Sequence, residues 1–157
     1  MTRFSLFALG LALLVGCGTT PTTPPTDTAK PTEHAHAHGE SGPAGGVLAS
    51  WGNDEYHAEL VVDQPTGEAT VYLLDGTAKK VTPIDAKTVT LSLKGTPPVV
   101  VTLEAKPQDG DPPGQSSRFV GRHDALKTVK EFSGSISGKA GGKHYTGDFA
   151  PKAASKK

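Results

Sequence analysis

Three of the six histidines stand at alternate positions in His34-Ala35-His36-Ala37-His38-Gly39-Glu40, the densest concentration of ligand-type side chains in the 157-residue chain. In an extended segment, side chains two apart point to the same side about 6.6 Å from one another, and a flexible backbone bends to bring two or three imidazoles onto one ion. Neutral imidazole suits Zn(II), Cu(II), Ni(II) or Co(II), whereas Ca(II) and Mg(II) prefer oxygen, so the cluster selects borderline transition metals, with Glu40 as an oxygen ligand. Three histidines on a loose segment lack outer partners to orient them, so binding should be weak, fast-exchanging and poorly selective. That profile fits a sensor, buffer or scavenger better than a catalytic metal. The same tract also reads as compositional bias in a linker, with histidine standing in for any polar residue. The other three, His57, His123 and His144, form a second candidate set if the fold brings them together with Glu55 or Asp148.

The second residue that invites chemistry is Cys17, the only cysteine, with no partner for a disulfide. It closes an N-terminal run: Met1-Thr2-Arg3 carries one positive charge, and Phe4 to Val15 form a largely apolar stretch of about twelve residues. This is the pattern of an export signal and is too short to span a bilayer, which takes about 20 apolar residues. Leu14-Val15-Gly16-Cys17 resembles the lipobox of bacterial lipoproteins, with an aliphatic residue three before the cysteine and a small residue directly before it. The resemblance implies cleavage between Gly16 and Cys17 and acylation of Cys17, and several acyl chains make a lasting anchor where one does not. It also implies a place in the cell envelope, facing the periplasm or the exterior, with Gly18 in place of aspartate favouring the outer membrane. The competing reading is an ordinary cleaved signal with Cys17 a bystander.

Other chemistry lacks a starting point. There is no His-Glu-x-x-His zinc helix and no Gly-x-Ser-x-Gly elbow. Asp109-Gly110-Asp111-Pro112-Pro113-Gly114 begins like a calcium loop but departs from it in the next ligand positions, so it reads as a turn. Gly138 to Lys143 lacks the spacing and following helix of a phosphate loop. The chain is therefore read as no enzyme and as needing no organic cofactor. Sixteen basic residues balance sixteen acidic ones, or fifteen against sixteen once Arg3 leaves with the signal, so nothing steers the protein toward nucleic acid.

Four segments position these residues: a signal peptide over 1–16, a lipidated disordered tether over 17–44, a β domain over 45–149 and a basic tail over 150–157. Residues 19–33 contain four prolines and seven threonines and no large apolar side chain, so nothing offsets the entropy of ordering them. If wholly polyproline-like, the span from Cys17 to Gly45 reaches on the order of 85 Å. Beyond it, short runs rich in β-branched and aromatic residues recur between turn residues. Tyr56, Ala58, Leu60 and Val62 alternate with His57, Glu59, Val61 and Asp63, which predicts a half-buried strand with Tyr56 inward and His57 outward. Gln64-Pro65-Thr66-Gly67 turns it into a partner strand over Ala69 to Leu74. Thr88 to Leu93 and Val99 to Glu104 predict two more strands, Arg118 to Gly121 a short one, and Phe132 to Ser137 with His144 to Phe149 a last hairpin. His123 to Lys130 is one helical turn or a loop.

Eight or so strands with no sustained helical repeat predict an all-β fold, a small antiparallel two-sheet sandwich. Trp51, Tyr56, Tyr72, Phe119, Phe132, Tyr145 and Phe149 are its aromatic core candidates. Gly45-Gly46, Trp51-Gly52, Tyr56-His57-Ala58-Glu59-Leu60-Val61 and Val71-Tyr72-Leu73-Leu74-Asp75 resemble a domain of uncharacterised bacterial lipoproteins, also found near the periplasmic adaptors of heavy-metal efflux pumps. More distantly they are similar to immunoglobulin-like periplasmic domains. The resemblance covers about the first half of the domain. It implies a membrane-attached, non-enzymatic accessory that binds or handles metal ions, with an envelope protein such as an efflux component as partner. The alternative is an envelope structural or interaction module without a metal role.

Overall fold

The computed structural model describes residues 41–129 and 132–150. Eight strands run β1 (Val47–Trp51), β2 (Tyr56–Asp63), β3 (Glu68–Asp75), β4 (Thr88–Leu93), β5 (Val99–Ala105), β6 (Arg118–Arg122), β7 (Gly134–Ala140) and β8 (Lys143–Phe149). The domain is all-β, and every strand pair in it is antiparallel. The strands join in one hydrogen-bonded order, β1-β2-β3-β6-β5-β4-β7-β8. Short hairpins make four of the seven pairings, and longer connections carry the chain from β3 to β4 and from β6 to β7. One turn of 3-10 helix, Asp124–Lys127, lies in the second of these connections.

Alternation places the core. Ala69, Val71 and Leu73 of β3, Val89, Leu91 and Leu93 of β4, and Val101 and Leu103 of β5 all face one buried cluster, which Trp51, Phe119, Ile136, Tyr145 and Phe149 complete. The sheet curls around this cluster until its outermost strands, β1 and β8, meet. Their approach is close enough to require glycine. A Cβ on Gly147 would run into the carbonyl oxygen of Ser50 and stand 2.8 Å from Cδ1 of Trp51, and one on Gly138 would stand 2.8 Å from the far edge of the indole. The Trp51 indole N–H donates to the Ile136 carbonyl at 3.0 Å, tying β1 to β7 through the core. Among the described residues, no buried side-chain nitrogen or oxygen lacks a hydrogen-bond partner.

The turns follow their residues. Gly141 and Gly142 both take positive φ, 54° and 82°, as a two-residue connection between β7 and β8 requires. The glycine-rich stretch that superficially resembles a phosphate loop is thus the end of one strand, a tight turn and the start of the next. In the Pro107 to Ser116 loop, the Asp111 carboxylate accepts from the backbone N–H of Gln108 at 2.9 Å and of Ser117 at 2.8 Å. It acts as a loop organiser.

Two burial expectations are corrected. Glu59, expected on the outer face of β2, is 1 % exposed, because the Gly42–Gly45 turn folds over that face and the backbone N–H of Gly46 donates to Glu59 Oε1 at 2.8 Å. Tyr72, expected in the core, is only half-buried and faces away from the cluster, since Val71 and Leu73 on either side take the inward positions of β3. The structure also adds a strand that the periodicity did not single out: Val47–Trp51 pairs residue for residue with β2, from Val47 opposite Leu60 to Trp51 opposite Tyr56.

Candidate functional site

Cys17, His34, His36, His38 and Glu40 lie outside the described residues, as do the signal peptide, all of the tether but its last residues, and the tail beyond Ala150. The three histidines of the β domain occupy three separate places. His57 is on β2. His123 caps the 3-10 turn, its Nδ1 accepting from the Ala125 N–H at 3.1 Å. His144 is exposed on β8, paired across the hairpin with Lys139. Among the described residues, no three His, Cys, Asp or Glu side chains gather to hold a metal ion. Asp148 is exposed opposite Ser135, and Glu55 points to Lys143, Oε2 to Nζ 3.8 Å.

The most organised polar group involves His57 and two residues that the sequence reading passed over. Antiparallel pairing sets Ser50 of β1 directly opposite His57 of β2, so the two side chains share a face. The connecting turn, Gly52 to Glu55, bends back over that face through three consecutive residues of positive φ: Gly52 at 61°, Asn53 at 54° and Asp54 at 67°. Glycine, asparagine and aspartate tolerate this conformation best. The turn presents the Asp54 carboxylate to both strand residues. The Ser50 hydroxyl donates to Asp54 Oδ1, and the same oxygen lies 3.5 Å from His57 Nε2. On the other side of the ring, His57 Nδ1 is 3.2 Å from the Asp75 carbonyl oxygen.

Asp75 anchors the neighbouring loop. Its Oδ1 accepts from the Thr77 hydroxyl at 2.6 Å and the Thr77 N–H at 3.1 Å. The hydroxyl bond is the main reason its acidity is strengthened; partial burial opposes it, and the Lys79, Lys80 and Thr77 N–H groups add to it. This loop touches the β1–β2 turn, and a Cβ on Gly76 would stand 2.5 Å from the Asp54 carbonyl oxygen. Ser50, Asp54, His57 and Asp75 therefore form one corner, built by the first hairpin and the end of β3. The serine bonds the aspartate instead of the imidazole, so the trio is not wired as a hydrolytic relay, in which the hydroxyl must hand its proton to histidine.

No family model, curated protein or solved structure matches this chain. Any reading of its function therefore stands on its own residues. Ser50 and Asp54 became visible only with β1 in place, since without that strand nothing sets a serine and a turn aspartate beside His57. Among the described residues, no helix is long and apolar enough to cross a membrane.

Proposed function

We propose that this chain is an envelope lipoprotein whose histidine tract captures borderline transition-metal ions, with the β domain as a non-enzymatic carrier that meets an envelope partner such as a metal efflux component. The observation that carries the reading is the placement of His34, His36 and His38 between an acylatable Cys17 and a folded β body. Acylation of Cys17 holds the tract near a membrane surface, and the Pro/Thr-rich segment sets its reach. Alternating imidazoles supply the ligand chemistry for Zn(II), Cu(II), Ni(II) or Co(II).

The test compares the mature chain, starting at Cys17, with the same chain carrying His34→Ala, His36→Ala and His38→Ala. Calorimetric titration with Zn(II), Cu(II) and Ni(II) is expected to give measurable binding for the first and a clear loss for the second. Equal binding by both forms, or none by either, removes the tract from the function and leaves an envelope interaction module.

A further inference from the structure

We infer that Asp109 is a site of spontaneous covalent modification: its carboxyl condenses with the backbone nitrogen of Gly110, and the main chain is then rejoined through the side chain as an isoaspartyl linkage. The site lies wholly in the β domain and is independent of the proposed metal capture.

The first argument is the choice of neighbours along the chain. Condensation needs a carboxyl directly before an N–H that no side chain crowds, and glycine is the residue without a Cβ. Asp75-Gly76 and Asp109-Gly110 are the two such pairs. Asp111, in the same loop as Asp109, is followed by Pro112, whose nitrogen has no proton to give up. Asn53 could react in the same way through its amide, but it precedes Asp54, whose side chain stands beside the nitrogen that would attack.

The second argument is what the fold does to the two aspartate–glycine pairs. Asp75 Oδ1 accepts from the Thr77 hydroxyl at 2.6 Å and the Thr77 N–H at 3.1 Å, which commits that carboxyl to the residue beyond Gly76. The hydroxyl bond also strengthens its acidity and keeps it ionised, the form from which an oxygen leaves poorly. Gly76 itself is hemmed in, since a Cβ there would stand 2.5 Å from the Asp54 carbonyl oxygen. Asp109 and Gly110 have none of these restraints. Both are exposed, and among the described residues neither the Asp109 carboxyl nor the Gly110 N–H has a hydrogen-bond partner. A Cβ at Gly110 would meet nothing within 4 Å.

The third argument is the turn they occupy. Asp109 and Gly110 are the two central residues of a turn closed by the Asp111 N–H donating to Gln108 O at 3.0 Å, with Gly110 at φ 96°. The common turn types differ mainly by rotation of the central peptide unit, which leaves the flanking chain in place. That unit joins Asp109 to Gly110, so the carboxyl and the nitrogen can meet through local opening of the turn while β5 and β6 stay paired.

The steps balance without an oxidant or reductant. The Gly110 nitrogen attacks the Asp109 side-chain carboxyl carbon and a C–N bond forms. The nitrogen gives up its proton and the carboxyl its hydroxyl, which leave together as water, and a succinimide ring results. Water then adds to one of the two ring carbonyls. Breaking the new C–N bond restores aspartate, whereas breaking the original one leaves the chain running through the side-chain carbon, with the former main-chain carbonyl as a free carboxylate. The isoaspartyl form has the same mass and one more CH2 in its backbone. That extra length falls inside the Gln108–Asp111 turn, whose Gln108 N–H donates to Asp111 Oδ2 at 2.9 Å, so the modification loosens the aspartate that organises the whole loop.

The experiment incubates the folded mature chain in warm, mildly acidic water enriched in heavy oxygen, then digests it in ordinary water for peptide mapping by mass spectrometry. Each passage through the ring adds one heavy oxygen, and electron-transfer fragmentation tells isoaspartate from aspartate. Label and isoaspartate are expected at Asp109, with Asp75 slower by about tenfold or more because its carboxyl is held by hydrogen bonds. In concentrated urea the two sites should react at similar rates, since sequence neighbours alone then set them. Amide exchange at Ser117 should quicken in the modified fraction. If Asp75 keeps pace with Asp109 in the folded chain, or if Asp109 reacts only in urea, the fold does not select this site and the inference fails. It fails equally if neither site takes up label in either condition. No variant is needed, so misfolding of a substituted chain cannot obscure the result.

Discussion

The Trp51 indole lies flat against the Tyr145 phenol, ring centroids 5.7 Å apart and planes 6° from parallel, so the first strand and the last are joined ring to ring. Tyr56 meets Tyr145 in an edge arrangement, centroids 5.5 Å apart at 80°. These three rings, with Gly138 and Gly147 cleared of side chains to admit the indole, close the curl of the sheet. Trp51→Ala is expected to remove roughly 3–5 kcal/mol of stability. Trp51→Phe should cost about 1–3 kcal/mol, because the Ile136 carbonyl loses its donor in a buried site. Urea unfolding followed by circular dichroism measures both.

The same tyrosine gives the domain an alkaline limit. Burial, then the hydrogen bond and charge of Glu55 and the proximity of Tyr56, push the Tyr145 hydroxyl above its ordinary value. A raised folded-state value means that the neutral phenol is the form the fold prefers. Its contribution is complete below the unfolded value of about 10 and is lost as pH rises through the folded one. Urea midpoints measured from pH 8 to 12 should fall more steeply for wild type than for Tyr145→Phe.

Glu59 is a buried carboxylate that holds the Gly42–Gly45 turn over β2. Replacing it with alanine leaves the Gly46 N–H without an acceptor and is expected to cost about 1–3 kcal/mol, whereas Glu59→Gln keeps an oxygen in place and should cost less. Gly46→Ala should be at least as damaging as Glu59→Ala, since the new methyl would press on the Leu60 carbonyl oxygen and stand 2.9 Å from Glu59 Cγ. Amide exchange at Gly45 and Gly46 should quicken in both damaging variants.

Acid should loosen the loops before it reaches the core. Asp75 is held below its ordinary value by the Thr77 hydroxyl first, and Asp124 by its hydrogen bond to Lys127. For Asp111, burial works in the opposite sense and is outweighed by the N–H groups of Gln108 and Ser117, the Ser117 hydroxyl and the charge of Arg118. Lowered folded-state values mean stability that is present above the unfolded value of about 3.9 and is lost as pH falls through the folded ones. Urea midpoints should decline below about pH 4, and Asp75→Asn with Asp111→Asn should flatten that decline while lowering the plateau at neutral pH.

If Cys17 carries the acyl chains, Cys17→Ser should abolish labelling by a fatty-acid analogue and leave a longer chain with its signal uncut. Mass spectrometry of the cellular protein decides this. A wild-type chain beginning at Met1 with an unmodified thiol would contradict the envelope assignment.

Periodicity alone was enough to place most of the β body. The alternations of Tyr56–Asp63 and Thr88–Leu93 predicted β2 and β4 to the residue, because side chains of a strand alternate between two faces and one of those faces must be apolar. Val47–Trp51 escaped notice. Its five residues include two small ones, Ala49 and Ser50, and its role depends on pairing with β2 and on sending Trp51 into a gap that Gly138 and Gly147 leave open.

The same limit applies to the polar groups. The proposals that His34, His36 and His38 share an ion and that Cys17 is acylated rest on residue type and spacing along the chain alone. Which face Glu59 occupies, which of the inner histidines keeps company with an aspartate, and that His57, His123 and His144 stand apart were decided only in three dimensions. Residues far apart in sequence meet through strand pairing and turn geometry, and a pattern read along one chain carries no record of what the rest of it will fold over.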